Sequence, residues 1–462
     1  MIFNVEFEDF KLFKKQLFFF HPEFNLIAGV NGSGKSSVLK GLAIALAGWA
    51  HAYIKGESNL RPILDNEVRE IEIDGRFDLA KHTRIVTMGE FPVINRYGTN
   101  TSGKVTWTRD RLEDFPITML AGSIQYKHKS VADSYSEKSY QLNFDTLGRD
   151  ILQYIERGRK FNLPVIAFYE CDRLWMSNGA LDLSNTAKKK YSRFEPYLDC
   201  FHTGSDDAAI SEWLLKLELE ELQRLSGISD APKNPIKSAM EIAVQGALEN
   251  CTGFRFDFAK SRVMVSFENG KDIAFEHLSD GQKTVLGLFC DIAKRAAILN
   301  PHLEENVCFE TTGVVLIDEL DLHLHPKWQK NIVENLRATF PCIQFICTTH
   351  SPFIIQSIRD SEELILLDGD NLSDYGSRGV EEISRNMGVS KPEVSNTYDK
   401  MKGDAHAFLE TLDELDEQKL SPEEFHEKYK EKLAALIAPY ADNPAYQAIL
   451  ERKYATKIGF EL

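Results

Sequence analysis

FNLIAGVNGSGKSSVLKGL, residues 24–42, carries an apolar run into a cluster of small residues and then into a helical pattern. Gly29 to Ser36 reads G-V-N-G-S-G-K-S and fits G-x-x-x-x-G-K-[ST] in full. The strand before it and the helix after it are the setting that this pattern needs. Loop N–H groups and the positive end of the helix favour an anion, and glycine lets the backbone come close to it. Gly29, Asn31, Gly32, Ser33, Gly34, Lys35, Ser36 and Ser37 are therefore expected to form a phosphate cradle. Lys35 would reach the β- and γ-phosphates of a nucleotide and assist their chemistry, and the Ser36 hydroxyl would ligate Mg²⁺.

Val314 to Asp318 is V-V-L-I-D, a continuous apolar run of the kind found in strands buried on both faces. Asp318 then falls at the carboxyl end of a strand, where open α/β sheets bind ligands. There it would hold Mg²⁺ through the metal's water shell. Glu319, next along, would face the γ-phosphate and orient or deprotonate the attacking water. A lone Asp-Glu pair after a strand is by default a solvated pair; beside a phosphate cradle the catalytic reading prevails.

At 462 residues the chain holds core enough for two or three domains of ~150 residues each. Its 54 basic and 70 acidic residues leave a net charge of −16, which argues against a surface that binds polyanions throughout. Nucleic-acid contact is confined to local patches such as Lys127-His128-Lys129 and Lys188-Lys189-Lys190. No apolar run approaches the roughly 20 residues of a membrane span, and the N-terminal MIFNVEFEDF is acidic where a signal peptide would be basic. A cytoplasmic location without membrane partners is expected. The seven cysteines lack C-x-x-C spacing, so neither a zinc ribbon nor a disulfide framework is expected. His323 and His325 form H-x-H, but no matching Cys or carboxylate pair follows at ligand spacing, which favours a structural or subunit-contact role.

Segments VEFEDF and LFFFH read as strands, and Val38, Leu42 and Leu46 share a helical stripe. VREIEIDGRFDL, TRIVTMG, PVINRYG and KVTWTRD alternate between Gly or Asn turns, which predicts an antiparallel side sheet. From Phe144 the pattern turns helical, with a buried-strand candidate LPVIAFYEC from Leu163 and a later stripe of Trp213, Leu217, Leu222 and Leu225. FRFDFA and RVMVSF read as a hairpin, and CIQFICTTHSP as a buried strand ending in His350. LLDGDN, from Leu366, reads as an Asp-Gly hairpin rather than a nuclease motif. The expected division is a head split into 1–143 and 254–402, a mostly helical insert over 144–253, and an acidic helical tail over 403–462.

Leu278-Ser279-Asp280-Gly281-Gln282 resembles the L-S-G-G-Q signature of ABC-type ATPases, with Asp280 in place of the middle glycine. His350 resembles the switch histidine of that class, able to hydrogen-bond a γ-phosphate, and Asp321 matches its D-loop. Roughly 240 residues separate cradle and signature, enough for a whole inserted lobe when one domain runs to ~150. Together these features resemble the SMC/RecF/OLD-like branch. The resemblance implies an α/β fold: a P-loop ABC-type ATPase head with an antiparallel side sheet, an inserted helical lobe and a helical C-terminal tail. It implies ATP with Mg²⁺ held between two copies, so that Ser279, Gly281 and Gln282 of one meet the γ-phosphate bound by the other. Gln125, in AGSIQYKHKS, is the candidate for the glutamine that completes Mg²⁺ coordination.

Within that branch, FEHLSDGQKTVLGLFCDIAKRAAILNP, GVVLIDELDLHLHPKWQ and FPCIQFICTTHSP look like the PtuA family of Septu and related retron-associated anti-phage systems. That resemblance implies an ATPase working through Glu319, a homo-oligomer built from head-to-tail dimers, and a separate PtuB-like HNH nuclease gated by the nucleotide state. Nucleic acid would be met through that complex. A RecF/OLD-like repair ATPase acting on DNA directly is the alternative.

Overall fold

The structure, a computed structural model, describes residues 1–54, 61–73, 75–94, 100–129, 135–171, 192–201, 217–218, 221–222, 226, 235–257, 262–368, 375–418, 421–440 and 443–459. The chain divides into two compact units, Met1–Gly388 and Val389–Leu462.

The first unit opens with β1 (Ile2–Phe10), β2 (Phe13–Phe19) and β3 (Phe24–Ala28), then α1 (Lys35–Tyr53). A small hairpin, β4 (Glu70–Ile73) and β5 (Arg76–Leu79), precedes β6 (His82–Ile94), β7 (Asn100–Leu112), β8 (Phe115–Lys129) and β9 (Tyr135–Leu142). Next come α2 (Phe144–Glu156), β10 (Val165–Tyr169) and α3 (Pro235–Ala247). β11 (Cys251–Asp257), β12 (Arg262–Phe267) and β13 (Asp272–Ala274) lead into α4 (Asp280–Leu299). β14 (Gly313–Ile317), α5 (Ile332–Thr339), β15 (Ile343–Thr348) and β16 (Leu364–Leu366) complete the core.

β3, β10, β14 and β15 are buried at every position, as strands covered on both faces must be. With β16 they form an all-parallel sheet in the order β10-β14-β15-β3-β16. β6 instead alternates buried with half-buried or exposed residues along its length, the period-two mark of a strand with one covered face. It belongs to an antiparallel sheet in the order β2-β1-β6-β7-β8-β9, the side sheet that the alternating segments predict.

α1 lies between the two sheets, touching β1, β6 and β7 on one side and β10, β14 and β15 on the other. That position explains its composition. Gly41 backs onto Phe7, and a Cβ at Gly48 would sit 2.7 Å from Leu120. Trp49 stacks on Phe91 with ring centroids 4.2 Å apart, and Trp107 Nε1 donates to the Ala45 carbonyl at 2.9 Å.

Two expectations differ from the structure. β10 is the edge strand of the core sheet, paired through Val165–Tyr169 with Gly313–Ile317, so a boundary at 143/144 cuts through the head. A strand this buried has backbone groups to satisfy, and β14 supplies the partner. α2 packs on α1 and α3 on α4. Leu364–Leu366 form β16 in parallel pairing with β3, and the expected Asp-Gly hairpin falls on residues 369–374, outside the described residues. The tail starts earlier than 403: the second unit begins at Val389, and Gly403 sits inside α6 (Asn396–Gln418). α7 (Pro422–Ile437) and α8 (Pro444–Ile458) follow, around a core of Phe408, Phe425, Leu433, Leu450 and Tyr454.

The FRFDFA and RVMVSF hairpin is present as β11 and β12. Trp213, Leu225 and Lys188 to Lys190 lie outside the described residues. Among the described residues no helix is long and apolar enough to cross a membrane.

Where α2 meets α1, a Cβ on Gly148 would run into the Ala52 carbonyl. Gly148→Ala is expected to destabilise the fold by about 1–3 kcal/mol, the usual range for overpacking, and to lower the thermal unfolding midpoint. A midpoint equal to the parent's would show that the two helices do not approach here.

Candidate functional site

β3 delivers the chain, buried throughout, to the glycine loop at the carboxyl edge of the core sheet. Gly34 caps α1 in the left-handed region (φ 103°, ψ 14°), and no side chain caps the helix. The first turn of α1 carries no acidic residue, so the positive end of a 19-residue helix is left to attract an anion. A Cβ at Gly34 would sit 2.7 Å from Leu12 Cδ2 and 3.0 Å from Phe13. The dihedral calls for glycine, and the exposed Leu12 side chain would have to shift for any other residue. The Ser33 hydroxyl is buried without a hydrogen-bond partner among the described residues, as a group that serves a ligand would be. Asn31 is exposed and Ser37 half-buried.

Lys35 is 6% exposed and its Nζ donates to the carbonyls of Gly29 and Val30, both at 2.9 Å. Burial lowers its pKa, while Asp318, Asp368, Glu319 and Asp321 pull it back up. The ammonium therefore lies within electrostatic reach of four carboxylates. Asp368, at the end of β16, was not expected at this site; a Cβ on Gly29 would stand 3.3 Å from its Oδ2. The parallel pairing of β16 with β3 brings it there.

Asp318 follows β14 and is 4% exposed. Its N–H donates to the Tyr169 carbonyl at 2.8 Å. The Ser36 hydroxyl donates to its Oδ1 at 3.2 Å, and Thr348 Oγ1 donates to the same oxygen at 2.5 Å. Ser36 and Asp318 thus stand together as a metal-holding pair would, one from each loop. Glu319 takes φ +50°, a left-handed conformation that costs a non-glycine residue about 1–2 kcal/mol. Its N–H donates to Thr348 Oγ1 at 2.7 Å. Asp321 Oδ1 accepts from Thr349 Oγ1 at 2.7 Å and from the His350 N–H at 3.1 Å. His350 is exposed, its backbone fixed by Asp321.

Ser279 caps α4, and its side chain and that of Gln282 each accept the other's backbone N–H, at 3.3 and 3.1 Å. This is the capping box that S-x-x-Q spells. A Cβ at Gly281 would sit 2.6 Å from the His323 carbonyl and 3.2 Å from Trp328. The turn therefore rests on the segment after Asp321, where His323 takes φ +61°. His325 caps the short helix Pro326–Gln329 by accepting from the Lys327 N–H at 3.2 Å. That is a structural role, and among the described residues no His/Cys/Asp/Glu group could hold a metal without other donors.

The structure therefore brings Lys35, Ser36, Asp318, Glu319 and Asp321 together, with His350 beside Asp321. It keeps Ser279, Gly281 and Gln282 on a separate turn. Gln125 is exposed on β8, paired with Lys104 and Ser139 in the side sheet, and is not among the groups gathered round Asp318. Its candidacy came from the order of motifs alone, which does not fix where a meander strand points.

An AAA-domain family model matches residues 4–241, and a second AAA-domain model, that of the AbiEii toxin of type IV TA systems, matches residues 192–356. The Retron Vc95 probable ATPase of Vibrio cholerae serotype O1 biovar El Tor is 28% identical over 439 residues, covering 88% of this chain and 78% of that protein. Septu protein PtuA of Bacillus thuringiensis is 34% identical over 191 residues, covering 38% and 46%. A solved SMC head bound to the C-winged-helix domain of ScpA aligns with a TM-score of 0.42 at 13% identity, covering 81% of this chain and 95% of that one. The relatives bear out the resemblance read from the motifs.

Gly34→Ala is expected to weaken nucleotide binding by at least about tenfold, since forcing a side chain into this conformation costs of order 1–3 kcal/mol. Titration with a fluorescent ATP analogue measures it, and parental affinity would show that the loop does not depend on this dihedral.

Proposed function

The chain belongs to the AAA-domain family and is an ATPase, and from that premise we propose that ATP with Mg²⁺ clasps two copies of it together to control a separate HNH-type nuclease in anti-phage defence. The observation that carries this reading is a separation. Lys35, Ser36, Asp318 and Glu319 converge at one edge of the core sheet, while Ser279 and Asp280 present an exposed turn. Among the described residues no hydrogen bond joins that turn to the phosphate loop. A signature turn standing apart from its own cradle is suited to the cradle of another copy.

Lys35 would exchange the Gly29 and Val30 carbonyls for the β- and γ-phosphate oxygens. Ser36 and Asp318 would hold Mg²⁺, which when bound neutralises charge on those oxygens. Glu319 would align the attacking water and take its proton. His350 would hydrogen-bond the γ-phosphate and so sense its loss, and Asp321, which already fixes the His350 backbone, would carry that change to the seam. Ser279, Gly281 and Gln282 of the second copy would close over the γ-phosphate with N–H groups at the start of α4. The defence role is supported by the names of the relatives, a retron ATPase and a Septu PtuA.

Lys35→Ala is expected to lose ATP binding and ATP-dependent dimerisation together. Glu319→Gln should bind ATP and remain dimeric, with turnover reduced about 10²-fold or more, the usual share of a general base. Phosphate release and light scattering with and without ATP read both. Parental turnover in Glu319→Gln would remove its role; a monomer at saturating ATP would remove the clasp. Tight, salt-sensitive DNA binding by the chain alone, with stimulated turnover, would point instead to a repair ATPase.

A further inference from the structure

We propose that Thr348 is a positioning residue for ATP hydrolysis, its single hydroxyl setting the metal-holding carboxylate of Asp318 and the backbone of Glu319 at once. This role rests on Asp318 holding Mg²⁺ and on Glu319 acting as the base. Thr348 ends β15 and is fully buried. A threonine hydroxyl has one proton to give and lone pairs to receive. Here the proton goes to Asp318 Oδ1 at 2.5 Å and a lone pair accepts the Glu319 N–H at 2.7 Å. The Thr348 carbonyl accepts the Leu320 N–H at 2.8 Å. Three bonds thus stitch the turn after β14 to the end of β15.

The side chain suits the task. Two heavy atoms on Cβ restrict its χ1, so the buried strand fixes the direction of the hydroxyl. Glu319 has most to gain, because its left-handed backbone lacks local preference to stay there and the N–H to Thr348 holds it. Asp318 gains as well: with Ser36 on the same oxygen, its carboxylate is aimed before any metal arrives. The next two residues along the chain donate to Asp321, so one strand end sets the register of the metal holder, the base and the switch histidine. Serine at 348 would keep the hydroxyl. Valine would keep the shape while removing the acceptor of the half-buried Glu319 N–H and one donor to Asp318.

The test compares Thr348→Val, Thr348→Ser and Glu319→Gln in the full chain, by steady-state phosphate release and by titration with a fluorescent ATP analogue. Thr348→Val is expected to lower kcat about 10²-fold, the scale of a small misplacement of reacting groups, while analogue affinity stays within about threefold. Thr348→Ser should recover most of kcat. The proposal is overturned if Thr348→Val turns over near the parental rate while Glu319→Gln stalls. It is also overturned if Thr348→Val loses affinity and turnover in step and serine fails to rescue. Parental turnover in Glu319→Gln would remove the base itself, a failure of the broader reading distinct from the first two. Should Thr348→Val not fold, Thr348→Ala carries the same comparison.

Discussion

The placement of α1 between two sheets is the constraint from which the site follows. A helix in that slot has little solvent face, so its surface must be small wherever a sheet presents a bulky side chain and large wherever it leaves room. Gly41 meets Phe7, Gly48 meets Leu120, and Trp49 fills the space between Phe91 and Trp107. Burying an indole of roughly 200 Å² is worth on the order of 4–5 kcal/mol at ~25 cal/mol per Å², enough to set the helix in one rotation. Once the helix is fixed, the glycine loop at its start has one direction to face, and Lys35 and Ser36 are turned toward the ends of β14 and β15.

At those ends one carboxylate oxygen gathers the architecture. Asp318 Oδ1 accepts from Ser36, on the helix that leaves β3, and from Thr348, on β15. Two hydroxyl donors from different elements on one oxygen fix where that carboxylate points. Beside it the chain holds Glu319 in a left-handed conformation. Strain of that kind persists only where the surroundings over-determine it, and here they do, through the Glu319 and Leu320 N–H groups that both end on Thr348.

Much of this was legible in the sequence because each signal is local. The phosphate loop, the strand ending in Asp318 and the alternation of β6 and β7 each follow from residues within one element. What stayed hidden depends on partners distant in sequence. β10 looks like a buried strand, yet only its pairing with β14 assigns it to the head. Asp368 reads as part of a turn, and it reaches the cradle only because β16 pairs in parallel with β3. Thr348 stands in a run of two threonines before His350, a signal that could have drawn notice, but its two bonds cross to a turn 29 and 30 residues away. Gln125 shows the converse: a motif order without a pairing partner gives no direction in space.

The pairing of β10 with β14 explains how two separate parts of the chain share a frame. Tyr169, the last residue of β10, uses both its polar groups: its carbonyl accepts the Asp318 N–H at 2.8 Å, and its phenol donates to Asp291 on α4 at 2.8 Å. Asp291 in turn binds Arg295, which also bonds the Pro196 carbonyl and Asp199. Removing Asp291 or Arg295 would leave the other's buried charge without its main partner, far costlier than the net gain from forming the pair. The set therefore acts less as a source of stability than as a specification of position. The helix that begins with the signature turn is registered against the strand that backs the carboxylates, so a displacement at Asp318 has a direct route of contact to α4 within the same chain.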